Sequence, residues 1–292
     1  MRVLVIGGTG FIGAYIVRQI ASHEHVVAVY HRGLTDAVLP DHVEHITDSR
    51  SVMPIQCFPT EVFEFKPDIV ILTVTMGAAD AHAAVKAFAG RTGSIVLLSS
   101  GDVYRAYGRL TGIEAGPIEK GLLTEDAPLR SVLFPYRHKA SSPEALEYWY
   151  EKIFAERAVL NAPDLPGTVL RLPKVYGPGG NEDLATVYRY RHHPNWRWTH
   201  GFVENVAVAV ELAAIHPAAG GRIYNVGEAY TPSIAERLRW LPTSTIEPDL
   251  SSQFDFAQNI AYDTSRIRVE LGYCEIVSEK EGLLRTLRSG SN

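Results

Sequence analysis

Cysteine is scarce in this 292-residue chain: Cys57 and Cys274 are the only two, far apart and without metal-ligand spacing. Neither a disulfide framework nor a thiolate zinc site is suggested, and a reducing cytoplasm fits. An excess of positive charge is also missing, with 28 Lys+Arg against 33 Asp+Glu for a formal charge of -5. Nucleic acid is therefore disfavoured as a partner, because phosphate backbones are bound largely through surplus cations. No uncharged apolar run reaches the roughly 20 residues needed to cross a bilayer, so no membrane association is expected. The apolar opening of the chain is interrupted by glycines and reads as a buried first strand rather than a signal peptide. The histidines, His192-His193 included, have no ligand spacing, and no metal site is expected. Internal repeats are absent. What remains is 46% hydrophobic and 21% charged, enough for one large domain or a domain with a smaller lobe.

Strand and helix patterns alternate through the first half, the signature of parallel strands joined by crossover helices. Arg2 to Ile6 reads as a strand, Phe11 to Ser22 as a helix and Val26 to Tyr30 as a second strand, which together make one βαβ unit. Short β-branched runs at Ile69 to Val74, Ser94 to Ser99 and Thr168 to Leu172 suit strands covered on both faces, and Ala78 to Ala89 is an Ala-rich helix. From Arg105 to Ala140 no period is sustained, and the stretch reads as an excursion from the sheet. Ser141-Ser-Pro-Glu144 resembles a capping box opening a helix that runs to about Leu160. The expected architecture is α/β, a Rossmann-type doubly wound parallel sheet over residues 1–175 with an inserted excursion near 105–140. Residues 176–292 form a smaller substrate lobe interwoven with it.

Where the first strand meets the first helix stands Gly7-Gly-Thr-Gly10-Phe-Ile-Gly13. One glycine allows a tight turn, another lets backbone approach a pyrophosphate, and a third lets helix pack on strand, while the helix N-terminus favours the anion. In this strand-turn-helix-strand context the pattern reads as dinucleotide binding. The second strand ends in Tyr30-His31-Arg32-Gly33, without the carboxylate that would accept hydrogen bonds from an adenosine ribose. Arg32 suits a 2′-phosphate instead, so NADP is favoured over NAD.

Tyr148 and Lys152 lie four residues apart on the expected helix, so they share a face. An ammonium beside a phenol favours the phenolate and makes it a usable acid/base. Tyr150 also precedes Lys152, and helical spacing selects Tyr148. Ser100, at the end of Leu97-Leu-Ser-Ser100-Gly-Asp-Val-Tyr104, stands where it could hold a substrate oxygen.

With these pieces in view, the chain resembles the extended short-chain dehydrogenases/reductases, the group of NAD(P)-dependent epimerases and dehydratases. The resemblance runs through Gly7–Gly13, Thr47-Asp48-Ser-Arg50, Ser99–Tyr104, Tyr148-x-x-x-Lys152, Leu170-Arg-Leu-Pro-Lys-Val-Tyr-Gly-Pro-Gly179, Phe202-Val-Glu-Asn-Val206, Tyr224-Asn-Val-Gly227 and Asp263-Thr-Ser. It implies Ser100, Tyr148 and Lys152 as the catalytic set. It places Gly7, Gly10, Phe11, Ile12, Gly13, His31, Arg32, Asp48, Ser49 and Val74 around the cofactor. Asp48 would meet the adenine amino group, Lys152 the nicotinamide ribose and the backbone at Val175 the carboxamide. A homodimer through the helix carrying Tyr148 is implied as well.

Three departures bear on the substrate. The chain between Ser100 and Tyr148 is about twice as long as the resemblance leads one to expect, as if one further unit lay beside the site. Trp198 stands where an Arg would meet a sugar-nucleotide diphosphate, with Arg197 beside it. Gly101 replaces one of the carboxylates that dehydration requires, and Asp102 alone reads as a backbone cap. The expected function is an epimerase or reductase acting on a secondary alcohol or ketone of a sugar or nucleotide sugar. The alternative is a non-catalytic, cofactor-bound or RNA-associated protein of the same fold group, which the net charge and the Ser, Tyr, Lys set disfavour.

Overall fold

In the computed structural model, residues 1–290 are described. The chain divides into two compact units of three segments each. The first comprises Met1–Ser100, Leu133–Arg171 and Ala207–Tyr224; the second comprises Gly101–Val132, Leu172–Val206 and Asn225 onward.

The strands are β1 (Arg2–Ile6), β2 (Val26–His31), β3 (Glu44–Thr47), β4 (Ile69–Leu72), β5 (Ser94–Ser100), β6 (Gly167–Leu172), β7 (Lys174–Tyr176), β8 (His200–Phe202) and β9 (Ile223–Asn225). A seven-stranded sheet in the order β3-β2-β1-β4-β5-β6-β9 forms the frame of the first unit. β1 pairs in parallel with β2 and β4, and β2 with β3 and β4 with β5 likewise. The order reverses between β1 and β4, which is where ligands bind in open α/β sheets. Leu4, Ile6, Leu72 and Leu97 are among the residues buried in one core cluster. Each such side chain contributes roughly 1.5–3 kcal/mol. Helix α1 (Phe11–Ala21) buries Ile16, Val17 and Ile20, a single stripe at helical spacing.

Further helices are α2 (Thr60–Glu64), α3 (Ala78–Phe88), α4 (Arg105–Leu110), α5 (Leu146–Trp149) and α6 (Lys152–Leu160). The helix expected from Ser141 to Leu160 is replaced by two short ones: residues 141–145 form bends and turns, so the Ser141–Glu144 capping box opens no helix, and Tyr150 and Glu151 leave helical geometry between α5 and α6. The cause is tertiary. Glu151 N donates to Met76 O at 2.9 Å, and the buried Glu151 carboxylate accepts from Phe134 N at 2.7 Å and from Ile153 N at 3.1 Å. Bonds to other segments replace those that would have closed a helical turn.

In the second unit, β7 and β8 form a parallel pair with Lys174 opposite His200. The early part of the excursion is ordered there. Arg105 N donates to Pro128 O and Arg130 N to Val103 O, both at 2.8 Å. The Glu114 carboxylate accepts from Ser131 N and Val132 N at 2.7 and 2.9 Å. These pairings are non-local, which is why no period marks them. No helix among the described residues is long and apolar enough to cross a membrane.

Candidate active site

The turn after β1 is built as its glycines require. Gly7 has φ +87, and a Cβ there would collide with Thr73 Oγ1 and Val74; a Cβ on Gly13 would collide with the backbone of Gly7 and Gly8. Gly10 differs: a Cβ on it would meet nothing nearer than Gly7 O at 3.9 Å. Protein packing therefore does not demand glycine at position 10, and the backbone there is open to close approach from outside. Gly10 is also the N-cap of α1 and offers no side chain to its first-turn N–H groups, which remain available to an anion. Phe11 and Ile12, half-buried, begin that helix. Thr73 Oγ1 donates to Ile6 O at 2.8 Å and to Gly7 O at 3.0 Å, tying the end of β4 to the turn.

A cleft of about 200 Å³ opens here, lined by Gly7 and Gly10, by His31 and Arg32 from the end of β2, and by Val74 and Met76 beyond β4. Leu34, Met53, Ile55 and Leu146 give it apolar walls. His31 Nδ1 accepts from Gly33 N at 3.1 Å, and its Nε2 lies 3.2 Å from both His45 Nδ1 and Thr47 Oγ1. Burial, then the neighbouring His45, lowers the His31 pKa, so at neutral pH the cation at this strand end is Arg32. Arg32 is half-buried and has no hydrogen bond or ion pair among the described residues. Asp48, whose N–H donates to His31 O at 2.9 Å, accepts from Arg50 N at 3.0 Å; Ser49 beside it is exposed.

Lys152, at the start of α6, is buried and donates from Nζ to Thr75 O at 2.5 Å and Leu98 O at 3.1 Å. Beneath it lies Asp80 of α3. The Asp80 carboxylate accepts from Met76 N, Gly77 N and Ala81 N at 2.5, 2.9 and 3.0 Å. Burial raises the Asp80 pKa, against the pull of those N–H groups and of Lys152. Ser100 ends β5, half-buried. The two tyrosines part company: the Tyr150 ring centroid is 5.9 Å from Lys152 Nζ, while the Tyr148 ring lies 4.6 Å from the Arg137 guanidinium. The shared helical face that singled out Tyr148 does not exist, because the helix is interrupted.

Within the second unit, Val175 is buried and its carbonyl accepts from Asn181 Nδ2 at 2.7 Å. A polar cavity of about 250 Å³ is lined by Lys174, Asn181, Asp183, Thr186, Arg189 and Tyr190. Burial lowers the Lys174 pKa, and Asp183 opposes that shift. Arg197 is tied down by Tyr230 Oη at 3.0 Å, Thr231 O at 2.5 Å and Glu236 at 3.2 Å. Trp198 packs edge-on to Tyr107 with centroids 6.1 Å apart. A Cβ on Gly101 would run into the Tyr262 hydroxyl, which leaves no room for a carboxylate at that position.

Asp80, Glu151, Lys174 and Arg189 were not read as site residues from the sequence. Asp80 carries a visible signal, the one acidic residue of an Ala-rich helix and placed in its first turn. The others have none, since their placement depends on partners distant in sequence.

No protein-family model matches the chain. It is 30% identical over 187 residues to the 2'-dehydrokanamycin reductase of Streptomyces kanamyceticus, an alignment covering 63% of this chain and 45% of that protein. The match thus spans less than half of that relative. Among solved structures, MoeE5 in complex with UDP-glucuronic acid and NAD is similar with a TM-score of 0.69 at 18% identity, over 100% of this chain and 99% of that one. The UDP-glucose 4-epimerase of Thermotoga maritima gives 0.69 at 17% identity, over the same shares. The UDP-glucuronic acid 4-epimerase of Bacillus cereus, in complex with UDP-glucuronic acid and NAD, gives 0.70 at 15%, over 99% and 98%. At such identities the likeness is one of fold, and the chain has the Rossmann-type fold of these structures.

Proposed function

We propose that the protein is an NAD(P)-dependent epimerase or reductase acting on a secondary alcohol or ketone of a sugar or nucleotide sugar. One observation carries the reading: within the first unit, a buried Lys152 ammonium is held by the carbonyl of Thr75, whose neighbours Val74 and Met76 line the glycine-floored cleft. The open space over Gly10 and an Arg32 with no hydrogen bond or ion pair among the described residues fit a dinucleotide, and the latter favours NADP. A bound nicotinamide would supply the hydride acceptor or donor. Lys152 would hold the ribose hydroxyls, Ser100 would orient the substrate oxygen, and a phenol of the Tyr148–Tyr150 segment would exchange the hydroxyl proton.

The substrate class draws support from the second unit, where Lys174 and Arg189 face one cavity and suit an anionic group. The name of the Streptomyces relative supports the reductase arm. Calorimetric titration of the full chain with NAD and NADP tests the reading. Assays with UDP-glucose and UDP-glucuronic acid, followed by cofactor absorbance and by separation of sugar epimers, then divide reduction from epimerisation. Absence of binding by both dinucleotides overturns it.

A further inference from the structure

We infer that Tyr150, two residues before Lys152, is the catalytic acid/base of this chain. The inference rests on the proposed function and names the proton carrier within it. A phenol serves in this role when a fixed cation stabilises its ionised form. Lys152 is such a cation: it is buried, its Nζ is bound by Thr75 O and Leu98 O, and the Tyr150 ring centroid is 5.9 Å away.

The backbone holds Tyr150 there. Trp149 and Glu151 flank it against Gly77, where a Cβ would press on Trp149 O, and Glu151 N is bonded to Met76 O. Met76 lines the cofactor cleft. Glu151 anchors the other side through its carboxylate on Phe134 N and Ile153 N. The Tyr136 ring packs on Tyr150 with centroids 5.1 Å apart, which restricts the phenol further. Asp80, whose charge acts on Lys152, accepts from three backbone N–H groups through its own oxygens.

Tyr148 belongs to a different cluster. Arg137 Nε donates to its carbonyl at 3.1 Å, the same guanidinium covers its ring and that of Phe134, and the exposed Trp149 packs on its edge. In oxidation the Tyr150 phenolate would accept the proton of the substrate hydroxyl as the C–O bond becomes C=O, and a bound nicotinamide would supply the acceptor for the hydride from the same carbon. Reduction returns the proton from the phenol to the oxygen.

Ultraviolet difference titration of tyrosinate decides the assignment without knowledge of the substrate, on the full chain both free and saturated with NAD. Wild type is expected to show one phenol ionising roughly one to three units below the ordinary value near 10. Tyr150→Phe should delete that titration and Tyr148→Phe should keep it. Lys152→Met should move it upward and Arg137→Met should leave it in place. The assignment is overturned if Tyr148→Phe deletes the titration, or if no phenol in wild type ionises early. Calorimetry on the same samples separates this from failure of the functional reading: wild type that binds no dinucleotide defeats the function, whereas intact binding with the early phenol at Tyr148 defeats only the assignment.

Discussion

Two buried Arg–Glu pairs, one in each compact unit, are satisfied to different degrees. In the first unit Arg171 meets Glu156 through Nε at 3.0 Å and a terminal nitrogen at 2.8 Å, and Ser99 adds a hydrogen bond of 2.5 Å to the same carboxylate. In the second unit Arg237 meets Glu279 through Nε alone, at 2.6 Å. One Arg237 nitrogen and one Glu279 oxygen have no hydrogen-bond partner among the described residues. Burial holds the Glu279 carboxyl above its ordinary range. Nearby Glu228, with only long contacts of 3.4 and 3.3 Å, is pushed up to about 8 by burial and by the charges of Glu279 and Glu275. A saturated pair is a fixed structural element; an unsaturated one leaves protonation coupled to folding.

The largest expected effect comes from breaking the saturated pair. Glu156→Gln should cost about 3–5 kcal/mol of stability, because it leaves a buried guanidinium without its counter-charge. Glu279→Gln should cost less, since burial already disfavours the charged form of its carboxyl. Urea unfolding of both variants is the measurement, and equal costs would erase the distinction.

Next comes pH. A carboxyl raised on folding stabilises the protein fully below its unfolded value near 4.5, and that contribution is lost as pH climbs towards about 8. Stability should fall across this window with a slope no steeper than about 1.4 kcal/mol per pH unit from this one proton. Glu228→Gln should flatten the slope. An unchanged slope in that variant would mean that Glu228 is ionised throughout.

Arg32 gives a third kind of charge, half-buried and without a hydrogen bond or ion pair among the described residues, at the edge of the cleft. Arg32→Ala should lower NADP affinity by about tenfold to a hundredfold, the equivalent of roughly 1.5–3 kcal/mol, with little change for NAD. Added salt should narrow the wild-type preference. Calorimetry with both dinucleotides checks this, and equal wild-type affinities would leave Arg32 an ordinary surface charge.

The smallest effect concerns Glu151, whose carboxylate accepts from the backbone N–H groups of Phe134 and Ile153. Glu151→Gln retains one acceptor oxygen and should cost about 1 kcal/mol. Hydrogen exchange should quicken at Phe134 and Ile153 in this variant before it does elsewhere.

The helix break also marks the limit of what sequence spacing conveys. Tyr148 and Lys152 have helical spacing, and the inference from spacing to a shared face holds only while the backbone closes its own turns. Here Met76 O and Phe134 N take the bonds of Glu151 instead, and the residue beside Lys152 becomes Tyr150. Similarly, Arg197 next to Trp198 is a plausible anion contact in sequence, yet Glu236, Tyr230 and Thr231 occupy it.

By itself the sequence determined the βαβ beginning, the alternation of strands and helices, and the glycine turn, because each depends on interactions within a few residues: side-chain period, φ freedom and the helix terminus. The tertiary structure alone decided which tyrosine lies by the lysine, that Asp80 and Glu151 brace that segment, and that Lys174 and Arg189 line one cavity. Those outcomes rest on hydrogen bonds and burial between distant segments, which no local pattern encodes.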